Sequence, residues 1–206
     1  SGKASSHGSP LGDDEIALVR KKLKWDTEPF KISQDILDEW KKIGDKGELL
    51  EKKWLQTINK KDPKIKSELE KTYINSDLDK LELLIEKEKT KYFESKPSLA
   101  TRQCSMATIE SVSAKLPQLI GGSADLSGSN NTKTSNSKII NAKNFNGNYI
   151  HYGVREHGMA AVMNGLALYG GLIPYGGTFL IFSDYCKPSI RLSALMGLKV
   201  IYIFSH

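Results

Sequence analysis

The sequence predicts an α/β chain in two unlike parts: a helical, heavily charged first half, then a partial parallel sheet flanked by helices. Three observations carry this. Residues 1–98 hold 21 basic and 20 acidic side chains, whereas residues 99–206 hold 9 and 4. Beyond Pro97, helix-length stretches alternate with short runs that are apolar on both faces, the pattern of parallel strands covered on both sides. Glycines stand at the joints, as in Gly121-Gly122 and Gly176-Gly177.

In order along the chain, Asp13 and Asp14 are placed to cap a helix in which Ile16, Val19 and Leu23 recur at helical spacing. Lys21, Lys22 and Lys24 fall toward its dipole-favoured C-terminal end. A second helix starts after Ser33, with Ile36, Leu37 and Trp40 on one face. Residues 46–59 and 65–73 read as further helices, with Asp62-Pro63 as a breaker between them. From Asp77 to Tyr92, Leu78, Leu81, Leu83, Leu84 and Ile85 stand among Lys and Glu, a solvated connecting helix.

Downstream, residues 99–114 read as a helix and 118–123 as a strand ending in Gly-Gly-Ser. The polar run 127–148 is longer than packing requires, as in loops that serve a site or are mobile. Residues 149–152 are a short extended piece, 155–169 an apolar helix, 172–175 a strand, 182–195 a helix and 199–204 a strand. Ligands of such sheets sit at the carboxyl ends of strands, which points to the loops after Ile120, Tyr175 and Phe204.

Composition excludes some functions. No apolar run reaches the roughly 18–20 residues of a membrane span, and the first residues lack the apolar core of a signal peptide, so a cytoplasmic protein is expected. Cys104 and Cys186 are too few for a disulfide framework. The net charge of +6 is balanced by acids in one half and thinly spread in the other, which argues against nucleic acid. The chain begins without Met and stops inside strand-like Ile-Tyr-Ile-Phe-Ser-His, so a piece of something larger is expected.

After residue 98 the acids are Glu110, Asp125, Glu156 and Asp184. Glu156 stands at a predicted helix start beside glycines, where the helix dipole alone is one sufficient reason for an acid. Phe179, Phe182 and Tyr185 are spaced to put three rings on one side of a turn entering a helix, which also suits ordinary core packing. A carboxylate near a ring-lined pocket suits a flat, nitrogen-containing cofactor.

Five motifs follow one another: Ser-His-Gly-Ser-Pro-Leu-Gly at 6–12, Leu-Ala-Thr-Arg at 99–102, Gly-Gly-Ser-Ala-Asp-Leu at 121–126, Gly-Val-Arg-Glu-His-Gly-Met at 153–159 and Tyr-Gly-Gly-Thr-Phe at 175–179. In this order they resemble the middle of the transketolase family, thiamine diphosphate enzymes of sugar-phosphate metabolism, over nearly all 206 residues. The resemblance implies a thiamine-diphosphate-binding fold. Residues 1–60 would be the end of the diphosphate-binding domain, 61–98 a helical interdomain linker and 99–206 the first half of the pyrimidine-binding domain.

It also implies roles. Glu156 would meet the N1′ nitrogen of the cofactor's aminopyrimidine, and the shared proton would promote loss of the thiazolium C2 proton. Phe179, Phe182 and Tyr185 would line the pyrimidine pocket, and Asp125 would lie near the cofactor at the subunit contact. Arg102 and Ser129 would hold the substrate's phosphate; His7 and His206 would lie by its reacting carbonyl or hydroxyl. His151 and His157 are expected to be packed or hydrogen-bonded only.

Magnesium or another divalent ion is implied too, but the family's glycine-aspartate-glycine segment is missing, so its ligands fall outside this chain. The parent enzyme would be a homodimer moving a two-carbon ketol unit between sugar phosphates, with no nucleic-acid or membrane partner, and the isolated piece would be inactive. Rival readings are another thiamine-dependent transferase, of the dihydroxyacetone synthase or deoxyxylulose-phosphate synthase type, and a non-catalytic module whose lysine-rich helices bind an acidic partner. A nucleotide-binding doubly wound domain is disfavoured because no Gly-x-Gly-x-x-Gly turn follows a strand.

Overall fold

The computed structural model describes residues 2–74 and 78–206, in two compact units, Ser1–Asp62 and Pro63–His206. The first unit is helical. After a short 3-10 turn at Ala4–His7, helix α1 spans Asp13–Leu23 and α2 spans Gln34–Asn59. Gly12, with φ 81°, takes the cap position of α1, so Asp13 and Asp14 sit inside the first turn. There they favour the helix through its dipole, with Arg20, Lys21 and Lys22 in the last turn, and not through a side-chain cap bond. The chain leaves α1 through left-handed Lys24.

The sequence predicts a helix after Ser33 and another from residue 46; the structure makes them one 26-residue helix. Gly44 and Gly47 lie inside it in open space, and neither breaks it. A lone helical glycine costs about 1 kcal/mol, which the remaining turns absorb.

In the second unit, α3 (Pro63–Ile74) begins on the proline itself, the first helical position, where a missing N–H loses no bond. Helix α4 is described from Leu78 to Ser95; Asp77, where the sequence reading starts it, lies outside the described residues. Helix α5 (Thr101–Ser113) opens with Gln103 Oε1 accepting the Ala100 N–H at 2.9 Å. No described helix is long and apolar enough to cross a membrane.

Then come β1 (Leu119–Ser123), the single turn α6 (Ser127–Asn130), β2 (Tyr149–His151), α7 (Glu156–Tyr169), β3 (Ile173–Phe179), α8 (Ser183–Leu195) and β4 (Ile201–Ser205). The four strands form one parallel sheet in the order β2-β1-β3-β4. On one face Ile109 of α5 packs with Leu119 and Tyr175; on the other, Met159 and Met163 of α7 pack with Ala124, Tyr152 and Tyr202.

Strand β3 continues to Phe179, four residues past the predicted end, because its glycines serve close packing and not a turn. A Cβ on Gly176 would lie 2.4 Å from Met163 Sδ, and one on Gly177 would lie 2.4 Å from Thr132 Cγ2. In β1, a Cβ on Gly121 would fall 1.8 Å from the Tyr175 ring, and one on Gly122 would fall 2.3 Å from the Tyr152 ring.

The polar run after residue 127 is a fastening. Asn130 and Thr132 are fully buried. Asn130 Nδ2 donates to Ser123 Oγ at 3.1 Å, Ser123 Oγ donates to the Gly177 carbonyl at 3.1 Å, and the Tyr175 hydroxyl donates to the Thr132 carbonyl at 2.9 Å. The Tyr149 hydroxyl joins Ser127 Oγ at 2.8 Å and Thr132 Oγ1 at 2.9 Å. Side chains of the loop thus satisfy polar groups at the carboxyl ends of β1 and β3.

Two glycines are expected to respond in opposite senses to a methyl group. Gly121→Ala should lower stability by about 2 kcal/mol through overpacking against Tyr175, whereas Gly44→Ala, with nothing within 4 Å, should raise it by about 0.5–1 kcal/mol. Urea midpoints of the two variants moving the same way would count against this packing.

Candidate functional site

Three strands end together: β1 at Ser123, as the sequence reading has it, and β3 at Phe179 and β4 at Ser205, each beyond the residue at which that reading stopped it. Helix α7 begins at this edge. Gly153, with φ 69°, turns the chain out of β2, and Arg155 donates from Nη1 to the Tyr152 carbonyl at 3.0 Å. Glu156 is then the first residue of α7 and is 8% exposed. Among the described residues its carboxylate has no hydrogen bond or ion pair. Its oxygens are not sealed from solvent, and the amino end of α7 favours their charge.

Burial pushes the Cys186 thiol up, and the nearby Glu156 carboxylate pushes it further. Glu156 therefore lies within electrostatic reach of α8, one residue from Tyr185. The three rings form a row: Phe179 stacks on Phe182 with centroids 5.7 Å apart and planes at 22°, and Phe182 meets Tyr185 at 6.0 Å and 32°. Tyr185, at the outer end, is 64% exposed. His206 packs edge-on to Phe179 at 4.8 Å.

Arg102, at the start of α5, hydrogen-bonds through Nη1 to Nε2 of His206. A guanidinium has no acceptor, so Nε2 accepts and the imidazole proton sits on Nδ1, 3.1 Å from Ser205 Oγ. Arg102, His206 and the three rings are thus one contiguous group. Asp125 directly follows Ala124 of the β1 end, exposed and left-handed with φ 63°, and Ser129 is exposed on α6. His7 is exposed in the first unit. His157 Nδ1 lies 3.4 Å from Ser189 Oγ, and His151 meets the Tyr149 ring edge-on at 5.3 Å, so both histidines have ordinary neighbours.

The sequence reading passes over two features. Ser193 Oγ donates to Asn164 Oδ1 at 2.5 Å and contacts the Tyr202 hydroxyl at 2.9 Å, while Asn164 Nδ2 donates to the Ser189 carbonyl at 2.9 Å. This buried network ties α7, α8 and β4 together, and a lone Asn in an apolar helix is its only trace in the sequence. The other feature is Thr178, fully buried and, among the described residues, with no partner for Oγ1; its trace is the motif that contains it. A groove of about 370 Å³ between α4 and α5, lined by Leu84, Tyr92, Cys104 and Val112 among others, carries none of the predicted site residues.

Comparison with known proteins agrees along the whole chain. Residues 97–206 match the family profile described as transketolase, pyrimidine binding domain, and residues 1–78 match transketolase, thiamine diphosphate binding domain. Transketolase of Sinorhizobium medicae is 45% identical over 205 residues, covering 100% of this chain and 29% of that protein. Transketolase of Cereibacter sphaeroides is 46% identical over 200 residues, covering 97% and 30%. Among solved structures, transketolase from Leishmania mexicana superposes with TM-score 0.80 at 29% identity, over 98% of this chain and 30% of that one. The Pichia stipitis transketolase complex with sedoheptulose-7-phosphate gives 0.79 at 27%, over 98% and 31%. The chain therefore spans about three tenths of the length of the relatives it matches.

Burial pushes the Tyr152 hydroxyl up to about 12 from 10.0, with the neighbouring Tyr149 adding to the shift. A raised pKa means the folded state holds its proton more tightly, so this stability is complete below pH 10 and is lost as pH rises through about 12. Urea midpoints should therefore fall between pH 10 and 12, and Tyr152→Phe should flatten the fall; an unchanged slope in that variant would contradict the assignment.

Proposed function

Because the chain belongs to the transketolase family, we propose that it carries the pyrimidine-side half of a thiamine diphosphate site in an enzyme that transfers a two-carbon ketol unit from a ketose phosphate to an aldose phosphate. One observation carries the reading: the buried, unpartnered carboxylate of Glu156 at the strand edge that also bears the aromatic row. These residues fit the cofactor's ring. A flat heterocycle needs an apolar face and one acid for its ring nitrogen, and Glu156 is an acid with no competing partner here.

When bound, the cofactor supplies the electron sink for breaking and making the carbon–carbon bond. The chain's own residues do the rest. Glu156 would hold a proton at the ring nitrogen from the first turn of α7. Phe179, Phe182 and Tyr185 orient the ring by stacking and leave its edge open. Asp125, at the β1 end, lies toward the cofactor at the subunit contact.

Arg102 offers a guanidinium fork and Ser129 a hydroxyl to the substrate's phosphate, a ketose phosphate being the class of ligand bound by the Pichia stipitis neighbour. His206, held by Arg102 and Ser205, presents its ring beside Phe179 and, with His7, serves the reacting hydroxyl or carbonyl.

In this reading residues 1–60 close the diphosphate-binding domain, 61–98 link the domains, and 99–206 begin the pyrimidine-binding domain. A divalent ion, magnesium by preference, and its ligands belong to the part of the enzyme beyond this chain. The full-length enzyme works in sugar-phosphate metabolism as a cytoplasmic homodimer, each site drawing on both subunits.

Glu156→Gln in the full-length protein is expected to lower kcat about 10²–10³-fold while leaving the fold intact. Unaltered turnover would remove the central assignment. Arg102→Ala should raise KM for phosphorylated donors about tenfold or more, and by much less for an unphosphorylated ketose; equal effects on both would separate Arg102 from the phosphate.

A further inference from the structure

Helix α7 begins on an unexpected residue. Its cap position is Arg155, whose side chain has no acceptor for the first N–H groups of the helix and makes no cap bond. A cation there also opposes the helix dipole, and among the described residues no ion pair offsets it. Ser, Thr, Asp or Asn would serve the helix better, so an arginine at this point calls for another reason.

The course of its side chain supplies one. It folds back over Gly153, and Nη1 donates to the Tyr152 carbonyl at 3.0 Å. Gly153 makes room for this: it takes φ 69°, and a Cβ there would lie 2.5 Å from Arg155 Nη1. Tyr152 in turn is anchored to the sheet. Its N–H donates to the Ser123 carbonyl at the end of β1 at 3.1 Å, and its ring lies where a Cβ on Gly122 would come within 2.3 Å. On the helix side, the Arg155 carbonyl accepts the Met159 N–H at 2.8 Å. The guanidinium thus ties the cap of α7 to a fixed point at the sheet edge, and the next residue in the chain is Glu156.

We infer that Arg155 is a positioning residue for Glu156: by closing the turn from Tyr152 to Arg155 it fixes where the first turn of α7 stands, and with it the carboxylate. A short cap residue bonds the helix to itself, whereas this long donor bonds the helix to the sheet. First turns fray when nothing holds them. The inference rests on the assignment of Glu156 to the cofactor's ring nitrogen.

The test measures binding of thiamine diphosphate, and of an analogue with carbon in place of that ring nitrogen, to the full-length apoprotein by fluorescence quenching. Arg155→Met, which keeps the length and loses the donors, should bind thiamine diphosphate about tenfold more weakly and bind the analogue as the parent does. Because Arg155 is exposed, the apparent Tm should stay within about 3 °C of the parent's. Arg155→Lys should stay within about threefold of the parent, since one donor is enough for one carbonyl. Gly153→Ala keeps the arginine but sets a methyl group against its guanidinium, so it should reproduce the selective loss. In the Glu156→Gln background, Arg155→Met should weaken thiamine diphosphate binding no further.

Parent-like binding of thiamine diphosphate by R155M or G153A, an equal loss for both ligands, a lysine variant as weak as methionine, or a loss undiminished in the E156Q background would each overturn the inference while leaving Glu156 in place. So would a larger drop in Tm for R155M, since it would mark the side chain as a general support of the fold. If the parent protein binds both ligands equally, the Glu156 assignment itself fails, and the role of Arg155 falls with it.

Discussion

The second unit depends on four missing side chains. Gly121, Gly122, Gly176 and Gly177 stand where rings, thioethers and a threonine methyl occupy the space that a Cβ would need, at 1.8–2.4 Å. Such separations allow no small adjustment, since interiors are already packed near crystal density. With these positions bare, α7 settles onto β3 by its methionines, and the Tyr175 ring crosses to β1 and bonds the Thr132 carbonyl. The depth at which α7 sits sets the height of its first residue, and that residue is Glu156.

The α7–α8 pair is finished differently at its two ends. Away from the strand edge, Asn164, Ser189, Ser193 and Tyr202 satisfy one another in a closed network. At the edge, Glu156 and Thr178 are buried with no hydrogen-bond partner among the described residues. An unsatisfied neutral group costs about 1–3 kcal/mol and a charged one more, which is comparable to what a small network returns. The closed end can therefore hold two helices in register, while at the other end the Glu156 carboxylate is left without a partner among the described residues.

Sequence periodicity revealed the classes of the elements, because α7, α8 and the strands differ sharply in length and apolar pattern. It misjudged what depends on sterics between segments far apart in the chain. Gly-Gly read as a joint in β3, although the strand runs through it to Phe179, because nothing local says that Met163 and Thr132 press on either face. Gly44 and Gly47 in α2 taught the opposite lesson: flanking turns outweigh a local weakness. At the candidate site, motif order made Glu156 and the rings visible, and the spacing of 179, 182 and 185 already implied a shared side. The contact between Arg102 and His206 joins residues 104 apart and has no local signature. Thr178 was hidden for a subtler reason: threonine is common in strands, and only full burial without a partner distinguishes this one.

The aromatic row also limits how a flat ligand can be received. Sandwiching a ring between two others needs centroids about 7 Å apart, twice the van der Waals thickness of a π-system. Phe179 and Phe182 are 5.7 Å apart, and Phe182 and Tyr185 are 6.0 Å apart, so neither gap admits a guest without moving a helix that the Ser193 network holds. A heterocycle must therefore dock across the row or against its outer end, where Tyr185 is 64% exposed. Its opposite face then needs a cover that these three rings cannot provide. A site built on this edge therefore offers a flat ligand one face only, and the other face takes its cover from outside these three rings.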